Sequence, residues 1–120
     1  MNTAVIAIPA VLIAAQYAPN STTTVYTAPT GQTIIIDNFS VGNNDSSAHT
    51  ISINIVPSGG SAGATNLVVD AQSFAATGTA GSSGVVASMQ NQILNPGDFI
   101  AVAADSASKL VIRASGRECA

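Results

Sequence analysis

Apolar and polar residues alternate along most of this chain, with the two-residue period that is typical of β-strands. The clearest example is HTISINIVP at 49–57, where isoleucines occupy every second position and small polar residues lie between them. The isoleucines are Ile51, Ile53 and Ile55, and the polar residues are Thr50, Ser52 and Asn54. This pattern predicts a half-buried antiparallel strand with one face toward a core.

A second long strand is predicted over 33–42, and both of its faces carry apolar residues. One face has Ile35, Phe39 and Val41, and the other has Ile34, Ile36, Asn38 and Ser40. A strand that is apolar on both faces is either central in a sandwich or covered by a neighbouring element. Together with 49–56 it is predicted to form a hairpin with a long loop.

Turn-forming residues separate the remaining predicted strands. In NPGD at 95–98, Pro96 and Gly97 occupy the central positions of a predicted type II turn, and APTGQ at 28–32 is a second turn. The Gly/Ser-rich loop at 57–65 is predicted to carry no regular structure. Further strands are predicted over 25–26, 66–74, 85–94, 99–105 and 109–115, with a helical turn as the alternative inside 85–94.

These segments amount to about eight strands without a long amphipathic helix, a pattern that predicts an all-β fold. The predicted architecture is an antiparallel β-sandwich of jelly-roll or Greek-key type, and an eight-stranded barrel is the alternative. A chain of 120 residues is long enough for one domain with a modest core.

The first residues, MNTAVIAIPAVLIAA, are apolar enough to suggest a signal peptide or a membrane anchor. No Lys or Arg precedes residue 109, and the apolar run is shorter than the roughly 20 residues that a spanning helix needs. Pro9 disfavours a helix, and the β-branched residues favour extended structure. We therefore predict an extended N-terminal arm over 1–17, made of two short pieces with a bend at Pro9, and a single β-sandwich domain over 18–120. The arm either completes its own domain as an edge strand or adds a strand to a neighbouring copy.

Charge is scarce, and this favours a protein that packs against other protein. Charged residues make up 8% of the chain, whereas roughly 25% is typical. Low charge density leaves little repulsion between copies. The three basic residues, Lys109, Arg113 and Arg117, form no basic patch with interleaved aromatics, so nucleic acid is not an expected partner.

The chain offers no predicted catalytic, metal or cofactor site. His49 is the one histidine and Cys119 the one cysteine, which is a poor set of zinc ligands. His49 is predicted at a strand end, next to Asp45 in a solvated loop, and no nucleophile elbow is present. Asp37 lies among apolar strand residues, and it is either buried and functional or held by a hydrogen-bonded partner or subunit contact. We expect no enzymatic activity and no cofactor.

The order of motifs resembles that of small β-sandwich virion structural proteins of tailed bacteriophages. The segments that carry the resemblance are AIPAVLIAA, VYTAPTGQTIIIDNFSVGNND, HTISINIVPSGG, QILNPGDFIAVAA and ASGRE. The matching positions are Tyr26, Pro29, Gly31, Asn43, Pro57, Gly59, Gly97, Asp98, Ser115, Gly116 and Glu118. Because most of these residues form turns, the resemblance bears on fold more than on role.

The resemblance implies a structural role in a virion, with the capsid surface as the favoured location. We expect a capsid decoration or cement protein that forms homo-oligomers, with a trimer favoured, and that binds the major capsid protein or other virion proteins, without membrane contact. A ring or fibre component of the neck or tail is the alternative. A carbohydrate-binding module is a further alternative, disfavoured because the chain has no Trp. The residues expected at assembly contacts are Ile6, Ile8, Pro9, Val11, Leu12, Ile13 and Tyr17.

Overall fold

The computed structural model describes residues 6–119, which form two antiparallel β-sheets around a common core. Nine strands lie within these residues. They are β1 (Ala7–Tyr17), β2 (Thr23–Thr27), β3 (Thr33–Asn43), β4 (His49–Val56), β5 (Leu67–Phe74), β6 (Ser83–Val85), β7 (Ile93–Leu94), β8 (Phe99–Ala104) and β9 (Leu110–Cys119). The prediction of an all-β antiparallel sandwich is confirmed.

The two sheets differ in size and in the strands that they contain. The larger sheet has the order β1-β9-β3-β6, with β7 also paired to β3. The smaller sheet has the order β2-β8-β4-β5. The last strand, β9, therefore lies between β1 and β3 and makes the longest ladders of the larger sheet.

The core lies between the sheets and is almost entirely aliphatic. Ile51 and Ile53 of β4 are fully buried, as the alternation predicts, and Ile55 is half-buried. The largest side chains that are fully buried are Phe39, Ile13, Ile34, Ile36, Ile51, Ile53, Met89, Leu94, Ile100, Leu110, Ile112 and Val41. Burial of this apolar surface is the main favourable term in folding.

A bulge at Asp37 explains why β3 looks apolar on both faces. The ladder between β3 and β9 shifts register between Ile36 and Asn38, so that Asp37 is the extra residue. Ile34 and Ile36 are buried before the bulge, and Phe39 is buried after it. The predicted assignment of these residues to opposite faces is wrong, because one extra residue reverses the alternation and returns the apolar side chains to the inner face.

The N-terminal segment is one continuous strand and not two pieces with a bend at Pro9. β1 runs from Ala7 to Tyr17 and pairs with β9 of the same chain, with register shifts after Val11 and after Ile13. Pro9 is tolerated because β1 is an edge strand, where a missing N–H costs little. Residues 1–5 of the predicted arm lie outside the described residues.

The predicted strand over 85–94 is wrong in its middle. A 3₁₀ turn at Ala87–Met89 separates β6 from β7, so the alternative of a helical turn is the one that the structure adopts. Val86 and Met89 are fully buried, and Asn91 has a positive φ of 64°. The turn lets both apolar side chains enter the core, which a straight strand would not allow for residues three positions apart.

The turn at 95–98 has the predicted type II geometry. Gly97 has φ of 87°, and the Asp98 amide donates to the Asn95 carbonyl at 3.0 Å. The Gly97 amide donates to the Ala28 carbonyl at 3.0 Å, and Asp98 Oδ1 accepts from the Ser58 amide at 3.0 Å. The turn therefore connects the segments around Ala28 and Ser58 to the start of β8 by hydrogen bonds.

The Gly/Ser-rich loop after β4 has no regular structure over 57–63, as predicted, and it ends in a 3₁₀ turn at Ala64–Asn66 whose last residue organises it. Asn66 Oδ1 accepts from the Gly63 amide at 3.0 Å and from Asn54 Nδ2 at 2.7 Å, and Asn66 Nδ2 donates to the Ser61 carbonyl at 2.9 Å. These bonds fold the loop back over the outer side of β4, where Asn54 is buried.

Candidate assembly surface

The residues predicted at assembly contacts lie in two environments. Leu12 and Ile13 belong to the core, with exposed fractions of 8% and 2%. The others are exposed to solvent: Ile6, Ile8, Pro9, Val11 and Tyr17. Contact with a second molecule stays a prediction for the exposed set, whereas Leu12 and Ile13 stabilise their own subunit.

The outer surface of the larger sheet, here called the A face, carries several of the exposed large apolar side chains. In the ladder between β1 and β9, Val11 lies opposite Ser115 and Tyr17 lies opposite Val111. Because the neighbouring residues of β9 are buried in the core, these pairs are on the side opposite the core. The exposed apolar residues of this face are Val11, Tyr17, Val85 and Ile93, each between 46% and 58% exposed. These four large apolar side chains make the A face the candidate interaction surface of the larger sheet.

Asp37 projects onto the A face and binds Arg117. Arg117 Nε lies 3.2 and 3.1 Å from the two Asp37 carboxylate oxygens, and Arg117 Nη2 lies 2.9 Å from Oδ1. These hydrogen bonds, with the carboxylate charge, raise the pKa of Arg117 above its ordinary value. Asp37 is therefore held by a partner, as one of the two alternatives predicted, and the pair neutralises this part of the face.

Arg113 is the charged residue on the A face that keeps an unbalanced charge. It is exposed, points away from the core between the buried Ile112 and Ala114, and makes no ion pair with any residue of 6–119. It lines a shallow groove of about 460 Å³ across the sheet. The other lining residues are small or apolar: Ala15, Ser40, Val41, Gly42, Ser83, Gly84, Val85 and Val111.

The outer surface of the smaller sheet, here called the B face, is polar but almost uncharged. A groove of about 380 Å³ crosses it, lined by Thr22, Ser52, Asn54, Ala62, Gly63, Leu67, Asp70 and Ala103. Asp70 is the charged residue of this groove. It is exposed and makes no ion pair within the described part of the chain.

The edges of both sheets are poor templates for adding a strand. β1 contains Pro9 and two register shifts, β2 has a shift near its centre, and β5 contains two shifts and the positive φ of Ala71. β6 and β7 are only three and two residues long. Prolines, bulges and short strands are the devices that block pairing between edges. Contacts between copies are therefore expected through the faces.

His49 lies in an ion cluster at one end of the sandwich, and the expectation of a solvated loop is wrong. Its side chain is 11% exposed, with Nε2 at 2.7 Å from Asp45 Oδ2 and Nδ1 at 3.0 Å from Asp105 Oδ1. Lys109 Nζ lies 3.7 Å from Asp45 Oδ1. The hydrogen bond that His49 donates to Asp45 is the main cause that raises the pKa of His49, and the same bond lowers the pKa of Asp45. The imidazole, whose protonated form these contacts favour, thus joins Asp45 in the loop after β3 to Asp105 just after β8.

We expect the thermal stability of the protein to fall as the pH rises through the folded-state pKa of His49. Because that pKa lies above the ordinary value of 6.5, the stabilisation is fully present below 6.5 and is lost at higher pH. Asp45 acts in the opposite sense, since its contribution is present above 3.8 and is lost as the pH falls through its lowered pKa. Melting temperatures measured from mildly acidic to mildly alkaline pH should show the alkaline fall in the wild type and not in His49→Gln. The same alkaline fall in both proteins would contradict this assignment.

Among residues 6–119, no group of three or more His, Cys, Asp and Glu side chains is arranged to hold a metal ion. No helix in this part of the chain is long and apolar enough to cross a membrane. Cys119, at the end of β9, is a free thiol.

A comparison of the chain with models of known protein families, with curated proteins and with solved structures finds no match. Sequence reasoning noted Arg113 only as one of three basic residues and did not single out Asp70. The signal for Arg113 was its position between the inward-facing Ile112 and Ala114, which places it on the outer face once the strand is recognised.

Proposed function

We propose that this protein is a structural component of a virion that acts through contacts between many identical copies, as a capsid decoration or cement protein does. The observation that carries the proposal is the A face, which carries four exposed large apolar side chains and a groove, lined in part by Val85, with a single unbalanced charge. The sheet edges support it. Their proline, register shifts and short strands disfavour the addition of a strand from a second copy, so the faces are the surfaces left for contact between copies. The order of motifs, which resembles that of phage virion proteins, supports a virion as the assembly in which these contacts form.

Many weak contacts suffice for this role. Each exposed Val or Ile contributes on the order of 1–2 kcal/mol when it is fully buried at a contact. A copy that binds both its neighbours and a shell protein gains avidity, because the second contact forms within the assembly. Cementing of adjacent shell subunits then needs no catalytic residue and no cofactor.

The proposal is tested by the copy number of the chain in purified particles, measured by quantitative mass spectrometry against the major capsid protein. Hundreds of copies are expected for a shell decoration, since the number of binding sites follows the lattice. A number from about six to a few dozen would favour the alternative of a neck or tail ring, as closed cyclic assemblies give. Absence of the chain from particles would refute both virion roles.

The apolar residues of the A face provide a test in solution. We expect the double variant Val11→Ser, Ile93→Ser to self-associate at least tenfold more weakly, since each of the two side chains contributes on the order of 1–2 kcal/mol and about 1.4 kcal/mol corresponds to a factor of ten. Both side chains are more than half exposed, so the fold should be unaffected. Sedimentation velocity measures the association, and circular dichroism controls for folding. Unchanged association of a folded variant would remove the A face from the contact.

A further inference from the structure

The outer faces of the two sheets carry one unpaired charge each, of opposite sign. We propose that copies of this protein associate head to tail, with the A face of one copy against the B face of the next and Arg113 of one copy beside Asp70 of the other. This inference rests on the proposed homo-oligomeric function and specifies which surfaces meet.

Arg113 supplies the positive side of the contact. Its neighbours in the A-face groove are small or apolar, and Asp37 on the same face is already bound to Arg117. Lys109 is likewise close to Asp45. Among the described residues Arg113 is thus the cation left for a partner, and a guanidinium in a groove of low polarity favours a carboxylate.

Asp70 supplies the negative side. It stands in the B-face groove among hydroxyl, amide and alanine side chains, with no cation of the described residues within ion-pair distance. Asp105 contacts His49, and Asp98 accepts backbone amides. Glu118 also makes no ion pair within residues 6–119, but it lies opposite the buried Ile34 in the ladder and therefore on the core side of the larger sheet. The groove on the B face therefore offers a carboxylate that matches the charge in the groove on the A face.

The two charges cannot meet inside one chain. Arg113 is on the larger sheet and Asp70 on the smaller one, and each faces away from the core that separates the sheets. Packed sheets lie about 10 Å apart, so the two outer faces are further apart than an ion pair allows. Pairing of Arg113 with Asp70 therefore requires two molecules.

The surfaces around the two charges are suited to close approach. Small residues line the centre of the A-face groove, and Ser, Thr and Ala line much of the B-face groove. Neither groove contains a second charge that would be buried without a partner. Opposite charges in such a contact fix which faces meet and in what register, because like charges brought together are strongly unfavourable.

The contact joins two different surfaces, so it is heterologous, and it generates either a closed ring or an open row. Because the A and B faces point in opposite directions, successive copies continue in nearly the same direction. This contact therefore gives a row or a wide ring more readily than the trimer expected from the sequence. A trimer would need another surface, such as the exposed part of β1.

Charge reversal tests the proposal. Arg113→Glu makes both faces negative, and Asp70→Lys makes both faces positive, so each single variant is expected to self-associate at least tenfold more weakly than the wild type in sedimentation velocity. The double variant Arg113→Glu, Asp70→Lys should associate again. Arg113→Lys keeps the charge and should associate as the wild type does. Both residues are exposed, so all variants are expected to fold.

An equimolar mixture of the two single variants is the decisive measurement. In alternating order, the A face of the Arg113→Glu variant meets the B face of the Asp70→Lys variant in one contact, and the unchanged Arg113 and Asp70 meet in the next. Every contact then again has opposite charges. The mixture should therefore associate although neither variant does so alone. A misfolded variant could not produce this recovery.

The outcomes separate this inference from the proposed function. Association of both single variants at wild-type strength, or failure of the mixture to recover association, would overturn the pairing of the A and B faces. A wild-type chain that stays monomeric at high concentration would overturn it as well. The virion role is decided independently, by the copy number of the chain in particles.

Discussion

Replacing Gly116 with alanine is expected to lower the free energy of unfolding by about 3 kcal/mol or more, or to prevent folding altogether. Gly116 lies in β9 opposite Ile36, at the bulge of β3, and it is buried. A Cβ at this position would collide with the Ile35 carbonyl oxygen and would lie 3.0 Å from Leu12 Cδ1. The carbonyl is backbone in the central ladder, so it cannot move aside as a flexible side chain would.

The matched control is Gly84→Ala. Gly84 is also a strand glycine of the larger sheet, and no atom lies within 4 Å of the position where its Cβ would stand. We expect a change in unfolding free energy within about 0.5 kcal/mol for this variant. Urea denaturation of the two variants and the wild type gives the comparison. Equal stability of Gly116→Ala and Gly84→Ala would show that the close approach of β9 and β3 is not required.

Asn43→Ala is expected to cost between about 2 and 4 kcal/mol of stability, because it leaves one buried and three part-buried backbone groups without their partner. Asn43 is 5% exposed. Its Nδ2 donates to the Ser47, Phe74 and Ala75 carbonyls at 2.8, 3.2 and 2.9 Å, and its Oδ1 accepts from the Asp45 amide at 2.9 Å. One side chain thus holds the end of β3, the loop after it and the end of β5.

The adjacent Asn44 provides the control for that prediction. Asn44 Nδ2 makes one exposed hydrogen bond, to the Tyr17 hydroxyl at 3.1 Å. Asn44→Ala should therefore cost less than about 1 kcal/mol. Thermal and urea denaturation measure both variants. A small loss for Asn43→Ala would mean that water replaces the amide at this end of the sandwich.

Periodicity predicted the fold class because most strands have one buried face. It assigned the inward residues of β4 correctly and failed on β3, where the bulge at Asp37 reverses the alternation. A charged residue within an apolar run was the visible sign of this bulge. The sequence alone could not distinguish a bulge from a strand buried on both faces, because register depends on the partner strand β9, which is more than 70 residues away in the chain.

The candidate assembly surface could be predicted from the sequence less completely than the fold. The apolar residues of β1 predicted an assembly contact there. They could not show that Leu12 and Ile13 face the core whereas Val11 faces solvent. The register shifts in β1 determine which of its side chains face the core, and these shifts arise from the pairing of β1 with β9. The same holds for Arg113 and Asp70. Their lack of partners becomes apparent only when the other charged residues have been placed.

The position of β9 has a consequence for how the protein is made. Both of the long strands β1 and β3 hydrogen-bond to β9, which is translated after the other eight strands of residues 6–119. While the ribosome is still producing the chain, β1 and β3 lack the neighbour between them, and the larger sheet cannot close. The smaller sheet also waits for β8, which lies between β2 and β4. Chains of this topology complete their fold only after synthesis of the last strand, so a growing chain does not present a finished A face to its neighbours.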